Sequence, residues 1–145
     1  MPSSPAFSIR AFVAADYRRA HALWERIEGM GLNESDTEAA VARFLRRNPG
    51  LSAVAATPDD EVIGAVLCGH DGRRGFLNHL AVAPAYRGRG VGKALVEYCF
   101  ARLAAEEIPR CNIFVYEENG QGTEFWLHTG WYEATWKTLQ KRVLL

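Results

Sequence analysis

The spacing of apolar and polar positions changes along the chain, and the changes divide it into elements. From Phe7 to Phe12 apolar and polar residues alternate, with Phe7, Ile9 and Ala11 on one side, which predicts a half-buried strand. Asp16 stands where it can cap a helix, and Ala20, Leu23, Trp24 and Ile27 fall on one face of that helix. After a loop from Glu28 to Glu34, Ser35-Asp-Thr-Glu38 has the spacing of a capping box. In such a box the serine oxygen accepts from the helix start while the glutamate reaches back. The helix it opens carries Ala40, Val41, Phe44 and Leu45, and Asn48-Pro49-Gly50 ends it.

From Leu51 the pattern turns to strands. Leu51 to Ala56 and Val62 to Cys68 are apolar runs separated by Thr57-Pro-Asp-Asp60, a turn sequence. Asp71-Gly72 marks a second turn before a third strand at Gly75 to Val82. Strands joined by such short turns pair antiparallel. A glycine-rich turn leads into a helix over Val91 to Glu106, with Val91, Leu95, Tyr98, Cys99 and Leu103 facing inward. The next strand, Cys111 to Tyr116, follows a helix, so it is expected parallel to Gly75–Val82 through a right-handed crossover. Thr123 to Thr129 reads as a short helix ended by Gly130, and Trp131 to Thr135 with Leu139 to Leu144 as a closing hairpin. The resulting order is β-α-α-β-β-β-α-β-α-β-β. It describes one domain over residues 1–145, a mixed and mostly antiparallel sheet flanked by helices, on the α/β and α+β border.

Composition removes several classes of function. Seventeen basic residues balance seventeen acidic ones, so the chain lacks the positive excess that a nucleic-acid partner demands. Cys68, Cys99 and Cys111 are an odd number without CxxC spacing, each in an apolar stretch. They read as reduced interior thiols rather than a disulfide or metal framework. No apolar run is long enough to span a bilayer, and the start lacks the charged and apolar regions of a signal peptide. A cytoplasmic protein with neither membrane nor nucleic-acid partner is expected.

The chemistry concentrates in Leu80-Ala-Val-Ala-Pro-Ala-Tyr-Arg-Gly-Arg-Gly-Val-Gly-Lys-Ala-Leu95. A strand ends at Pro84, glycines at 88, 90 and 92 form a turn, and a helix begins at once. Free amides of a helix's first turn and its dipole favour a phosphate, and Arg87, Arg89 and Lys93 add positive charge there. A diphosphate suits this arrangement. The Walker pattern fails because Arg87 stands where its first glycine belongs and Ala94 follows Lys93. The dinucleotide fingerprint GxGxxG fails at Lys93, and this strand closes an antiparallel meander rather than opening a parallel sheet.

These residues resemble the GNAT superfamily of N-acetyltransferases, whose signature Arg/Gln-x-x-Gly-x-Gly/Ala is met by Arg87-Gly-Arg-Gly90-Val-Gly92. Leu80-Ala-Val82, Pro84, Tyr86 and Leu95 fit the surrounding pattern. So does a second signature, Ile113-Phe-Val115, Asn119, Phe125-Trp126 and Gly130-Trp131. From Gly64 through Trp131 the chain looks closest to small bacterial acetyltransferases of the YpeA-like type. The resemblance implies acetyl-CoA as cosubstrate, no metal, and an amine-bearing small molecule or protein as acceptor. It implies that Leu80, Ala81 and Val82 bond the pantetheine arm through their backbone, with the N–H near Val82 polarising the thioester carbonyl. Arg87, Gly88, Arg89, Gly90, Val91, Gly92 and Lys93 would cradle the diphosphate, and Asn119 and Trp126 would touch the carrier from across the cleft. The final strands would complete the monomer's sheet or be shared across a homodimer.

The same resemblance leaves the proton transfers open. A lysine-like amine of pKa about 10.4 must lose its proton before attack. Many relatives place a glutamate where this chain has Phe114, and others a glutamate or histidine where it has Phe76 or Asn78. Asn78 can orient a water but is no base. Where relatives carry an acidic tyrosine this chain has Trp126, so Tyr132 and Tyr116 become substitutes, and Asn78 and Tyr132 are the catalytic assignments. Further base candidates are His79, Glu34, Asp36, Glu117 and Glu118. Each has a plain structural reading beside the chemical one: a histidine packed beneath a helix, carboxylates at a helix start, a solvated turn. Strand alternation sets His79 on the opposite face from Asn78 and Leu80. Trp24, Met30 and Leu32, with Trp126, Trp131 and Trp136, offer aromatic walls that suit a cationic amine, or simply core. A non-catalytic acyl-CoA-binding or regulatory module is the alternative function. A nucleotide-binding protein is disfavoured by the two failed loop patterns.

Overall fold

The computed structural model describes residues 6–27, 30–115 and 120–145. They form two compact units, Met1–Phe114 and Val115–Leu145. The first contains β1 (Ser8–Ala11), α1 (Tyr17–Glu25), α2 (Glu38–Arg47), β2 (Ala53–Ala56), β3 (Val62–His70), β4 (Gly75–Val82), α3 (Val91–Ala105) and β5 (Cys111–Ile113); the second contains α4 (Gly120–His128). The sheet runs β1-β2-β3-β4-β5. Its first three pairings are antiparallel and β4–β5 is parallel, as the intervening helix requires.

The sheet's two faces are covered differently. Phe12, Ala20, Leu23, Trp24, Val41, Val54, Ala65, Leu67 and Ala81 make a buried cluster that joins α1 and α2 to one face. On the other face α3 presses close because β3 and β4 lack side chains at two contacts. A Cβ at Gly64 would lie 2.9 Å from Val91, and one at Gly75 would lie 2.8 Å from Leu103. Val91, Leu95, Cys99 and Leu103 of α3 are buried as the periodicity predicts, whereas Tyr98 stays half-buried with Arg102 stacked on its ring.

The helix starts differ from expectation. Asp16 makes no cap bond to α1. Its carboxylate takes Arg10 at 2.8 and 2.9 Å, Arg19 at 2.9 Å and the Val13 amide at 2.9 Å. Two guanidinium groups outcompete a helix amide for a carboxylate because charge-assisted bonds are stronger. Burial opposes ionisation of Asp16, but the Arg10 hydrogen bond, the Val13 amide and the nearby arginine charges outweigh it and hold the carboxyl below its ordinary range. The expected box at Ser35–Glu38 is displaced by two residues. Asn33 accepts from Ser35 N–H at 2.8 Å, Asp36 reaches back to Asn33 N–H at 2.9 Å, and Thr37 caps α2 through Ala40 N–H at 3.2 Å.

The closing hairpin is absent. Residues 131–145 contain no strand, and Leu139, Val143 and Leu144 are largely exposed. Alternation licenses a strand only where a neighbouring backbone edge accepts it, and the second unit contains no sheet of its own. What orders that unit is α4 and its aromatics. Trp126 packs edge-on against Phe125 and Trp131, each at 5.0 Å between ring centres, and Gly130 ends the helix at φ 99°.

Candidate active site

The turn singled out by its glycines lies between β4 and α3. A short 3-10 turn, Pro84–Tyr86, carries the chain off the strand. Gly88 at φ 76° and Gly90 at φ 81° then adopt left-handed conformations. A Cβ at either would meet nothing within 4 Å, so backbone conformation rather than crowding calls for glycine, and the space before the turn is open. Gly90 sits at the cap of α3, and the first helical bond runs from Ala94 N–H to Gly90 C=O at 3.0 Å. The amides of Val91, Gly92 and Lys93 therefore have no acceptor within the helix.

Positive charge gathers around those amides. The exposed Arg87 is anchored by its Nε to the Val82 carbonyl at 3.3 Å, which leaves its terminal nitrogens for a ligand. Arg89 lies over the Tyr86 ring at 5.3 Å, and Lys93 makes a long 3.9 Å pair with Glu97. Open amides, a helix dipole and three cations suit a diphosphate.

A second feature lies beside this turn. β5 pairs β4 only at Gly75–Leu77, so among the described residues no strand lies against that edge of β4 from Asn78 to Val82. The β3 side of the same stretch is paired, Gly64 with Val82 and Ala65 with Ala81. An extended ligand carrying amides would find at Leu80–Val82 a half-used strand edge that ends at the phosphate turn.

Within that stretch β4 is bulged. Ala65 opposes Ala81 and Leu67 opposes Asn78, so two residues of β4, His79 and Leu80, stand opposite Val66 alone. His79 takes the extra space at φ 55°, a left-handed conformation that costs a non-glycine residue about 1–3 kcal/mol. The bulge corrects the expectation from strict alternation. Asn78 shares the face of its partner Leu67, which belongs to the α1 cluster, and His79 also turns to that side, its ring 5.1 Å from Trp24 of α1. His79 Nε2 donates to Asp36 Oδ1 at 2.8 Å across 43 residues of sequence.

The other candidates are scattered. Phe114 is 60% exposed and stacks on Phe76 at 6.0 Å, an apolar pair with no proton to exchange. Glu34 begins the short turn that ends at Asp36. In the second unit Tyr132 is exposed, and Trp126 is buried among Phe125 and Trp131. Tyr116, Glu117, Glu118 and Asn119 lie outside the described residues. Trp24 is wholly buried, with Met30 and Leu32 packed on its cluster, so these three form core rather than an open wall. The pairing of Asp36 with His79 had no sequence signal, since a bulge leaves none in the residue pattern. Among the described residues no three His, Cys, Asp or Glu side chains gather as a metal-holding group, and no helix is long and apolar enough to cross a membrane.

Fold and site together define an α/β protein in which a positively charged helix start follows a strand, β4, that has one edge unpaired among the described residues. Comparison with known proteins supplies the family. Residues 18–131 match the Acetyltransferase (GNAT) family. The chain is 36% identical over 111 residues to an acetyltransferase of Sodalis glossinidius, covering 77% of each chain. It is 35% identical, over the same shares, to one of Pectobacterium atrosepticum. Among solved structures it is similar to the aminoglycoside N-acetyltransferase AAC(6′)-Iy in complex with CoA, with TM-score 0.76, 18% identity and 98% of each chain covered. It also resembles the ribosomal-protein-S18-alanine N-acetyltransferase of Escherichia coli, with TM-score 0.72, 20% identity, and 89% of this chain and 79% of that one covered. The chain belongs to the GNAT acetyltransferase family and is an acyltransferase.

Proposed function

We propose that this protein transfers an acetyl group from acetyl-CoA to a primary amine of a small molecule or protein, by direct attack in a ternary complex. The observation that carries the reading is the open turn at Arg87–Gly92, continuous with an edge of β4 that is unpaired among the described residues. The CoA bound in the similar aminoglycoside acetyltransferase supports the choice of carrier. One catalytic domain over residues 1–145, working in the cytoplasm, belongs to the same reading. The family match over 18–131 and the buried, unpaired thiols of Cys68 and Cys99 support it.

Each residue then has a task. Arg87, Arg89, Lys93 and the amides from Gly88 to Gly92 hold the diphosphate. Leu80, Ala81 and Val82 align the arm by backbone hydrogen bonds, and an amide near Val82 stabilises the oxyanion as the amine adds to the thioester. Asn78, on the α1 face one step before the bulge, orients the amine or a water. To Asn119 and Trp126 the reading assigns a role toward the carrier, and to Tyr132 one toward the leaving thiolate. A thiol of pKa about 8.5 leaves without a strong acid, so Trp126 in place of tyrosine is tolerable.

The test is thiol release from acetyl-CoA in the presence of polyamines, aminoglycosides and peptides with free N-termini or lysines, alongside calorimetry with CoA and acetyl-CoA. Micromolar binding and release with at least one amine class are expected. Absence of binding overturns the reading. Tight binding without release to any amine replaces it with an acyl-CoA-binding module.

A further inference from the structure

We propose that His79 is the proton acceptor of the transfer and that Asp36 positions it; the proposal rests on the amine-acetylation reading above. Three observations converge on the pair. The first is connectivity. Asp36 Oδ1 accepts from His79 Nε2 at 2.8 Å, and the carboxylate's other oxygen takes the Asn33 amide at 2.9 Å. The Tyr17 hydroxyl donates to the Asp36 carbonyl at 2.6 Å, so the turn carrying the aspartate is held at both ends. A carboxylate only accepts, so the proton of a neutral imidazole sits on Nε2 and Nδ1 presents a bare lone pair.

The second observation is exposure. The Asp36 side chain is 7% exposed and that of His79 16%, so the anchor is closed off while part of the histidine side chain still reaches solvent. A histidine serving only as packing has no need of a buried carboxylate, and one serving only as a surface residue has no need of burial. The third observation is cost. His79 sits in a left-handed bulge, and the adjacent Trp24 Nε1–H is buried with no acceptor among the described residues. Strained backbone and an orphaned buried donor each cost about 1–3 kcal/mol, and a core selected for stability alone would hold neither. The strained backbone is that of His79 itself, and the Trp24 ring lies 5.1 Å from its imidazole. The bulge holds His79 together with Leu80, where the proposed carrier stretch begins.

In the step proposed, His79 Nδ1 takes a proton from the alkylammonium and passes it to solvent. The freed amine nitrogen forms its bond to the thioester carbon, and the carbon–sulfur bond breaks. The departing thiolate receives the nitrogen's second proton, giving amide and thiol with nothing oxidised or reduced.

The experiment uses the full chain, with the amine found active in the panel. His79→Asn suits the site because asparagine tolerates left-handed backbone while lacking the base. It is expected to lower kcat about 100- to 1,000-fold, the usual weight of a general base, with KM for acetyl-CoA and Tm nearly unchanged. His79→Gly removes the strain as well as the ring, and added imidazole is expected to restore part of its kcat. Nitrogen-15 NMR of histidine-labelled protein gives a readout independent of turnover. It should show His79 protonated on Nε2 and bare on Nδ1, with that preference lost in Asp36→Asn. Wild-type kcat in His79→Asn, or a protonated Nδ1 in neutral wild type, overturns the assignment while leaving acetyl transfer intact. No transfer by wild type to any amine overturns both.

Discussion

The glycine turn at Arg87–Gly92 and the Asp36–His79 pair sit at opposite ends of one strand segment and are built in opposite ways. The turn is contiguous in sequence, exposed, and open: Gly88 and Gly90 face empty space and the arginines face solvent. The pair joins residues 43 apart, is nearly closed to solvent, and hangs on a bulge, a capped turn and a tryptophan. A recognition element for a charged group gains from openness, because its ligand arrives hydrated and must displace water from amides already in place. A proton acceptor gains from enclosure, because its tautomer and direction have to be set before the substrate arrives. Changes at the turn should therefore alter ligand affinity without touching stability, and loss of the packing around the pair should cost stability.

The largest effect is expected from Trp24→Ala. It empties a fully buried site against Phe12 and His79 and should cost about 3–5 kcal/mol in urea unfolding. A loss below 1 kcal/mol would mean the pair is not held by core packing. Arg87→Glu is the complement. Calorimetry should show acetyl-CoA affinity falling about 100-fold, roughly 2.7 kcal/mol, while unfolding stays within about 0.5 kcal/mol of wild type. An affinity left unchanged would move the diphosphate elsewhere.

Gly64→Ala tests the opposite face. The new methyl group would meet Val91 at 2.9 Å and Leu95 at 3.1 Å, the residues that seat the start of α3. About 1–3 kcal/mol of stability should go, and acetyl-CoA affinity with it, since the helix entry moves. Stability lost without affinity would show that the turn keeps its shape independently of the sheet. Acid titration gives a smaller effect. The Asp16 carboxyl is held below its unfolded value, so its contribution is complete above about pH 4 and disappears as pH falls through the lower folded value. Asp16→Asn should flatten that part of the acid-unfolding profile. The smallest change belongs to the tail: Leu144→Asp, at a side chain 95% exposed, should shift stability by less than about 0.5 kcal/mol. A larger loss would mean that this segment pairs with something, a second copy of the chain being the first to test by sedimentation.

Much of the first unit could be read in advance because its signals are local. The bounds of β4 and the start of α3 agree with the residue pattern, and the parallel β4–β5 pairing follows from the helix between those strands. Errors arose wherever partners compete. Asp16 was available to a helix and was taken by two arginines; the box at Ser35–Glu38 gave way to caps at Asn33 and Thr37. The tail had a strand's alternation without a strand's neighbour.

The chain's own order of residues determined the glycine turn, because conformation there depends on glycine's freedom and on a helix that starts at the next residue. It determined which faces of α1, α2 and α3 are apolar, since helical period acts within a few residues. Only tertiary structure decided that β4 would bulge at His79, that Asp36 would meet it, and that among the described residues one edge of β4 would lie unpaired beyond Leu77. Those outcomes are set by contacts between segments distant in sequence, whose energies depend on which neighbours packing brings within a few ångströms.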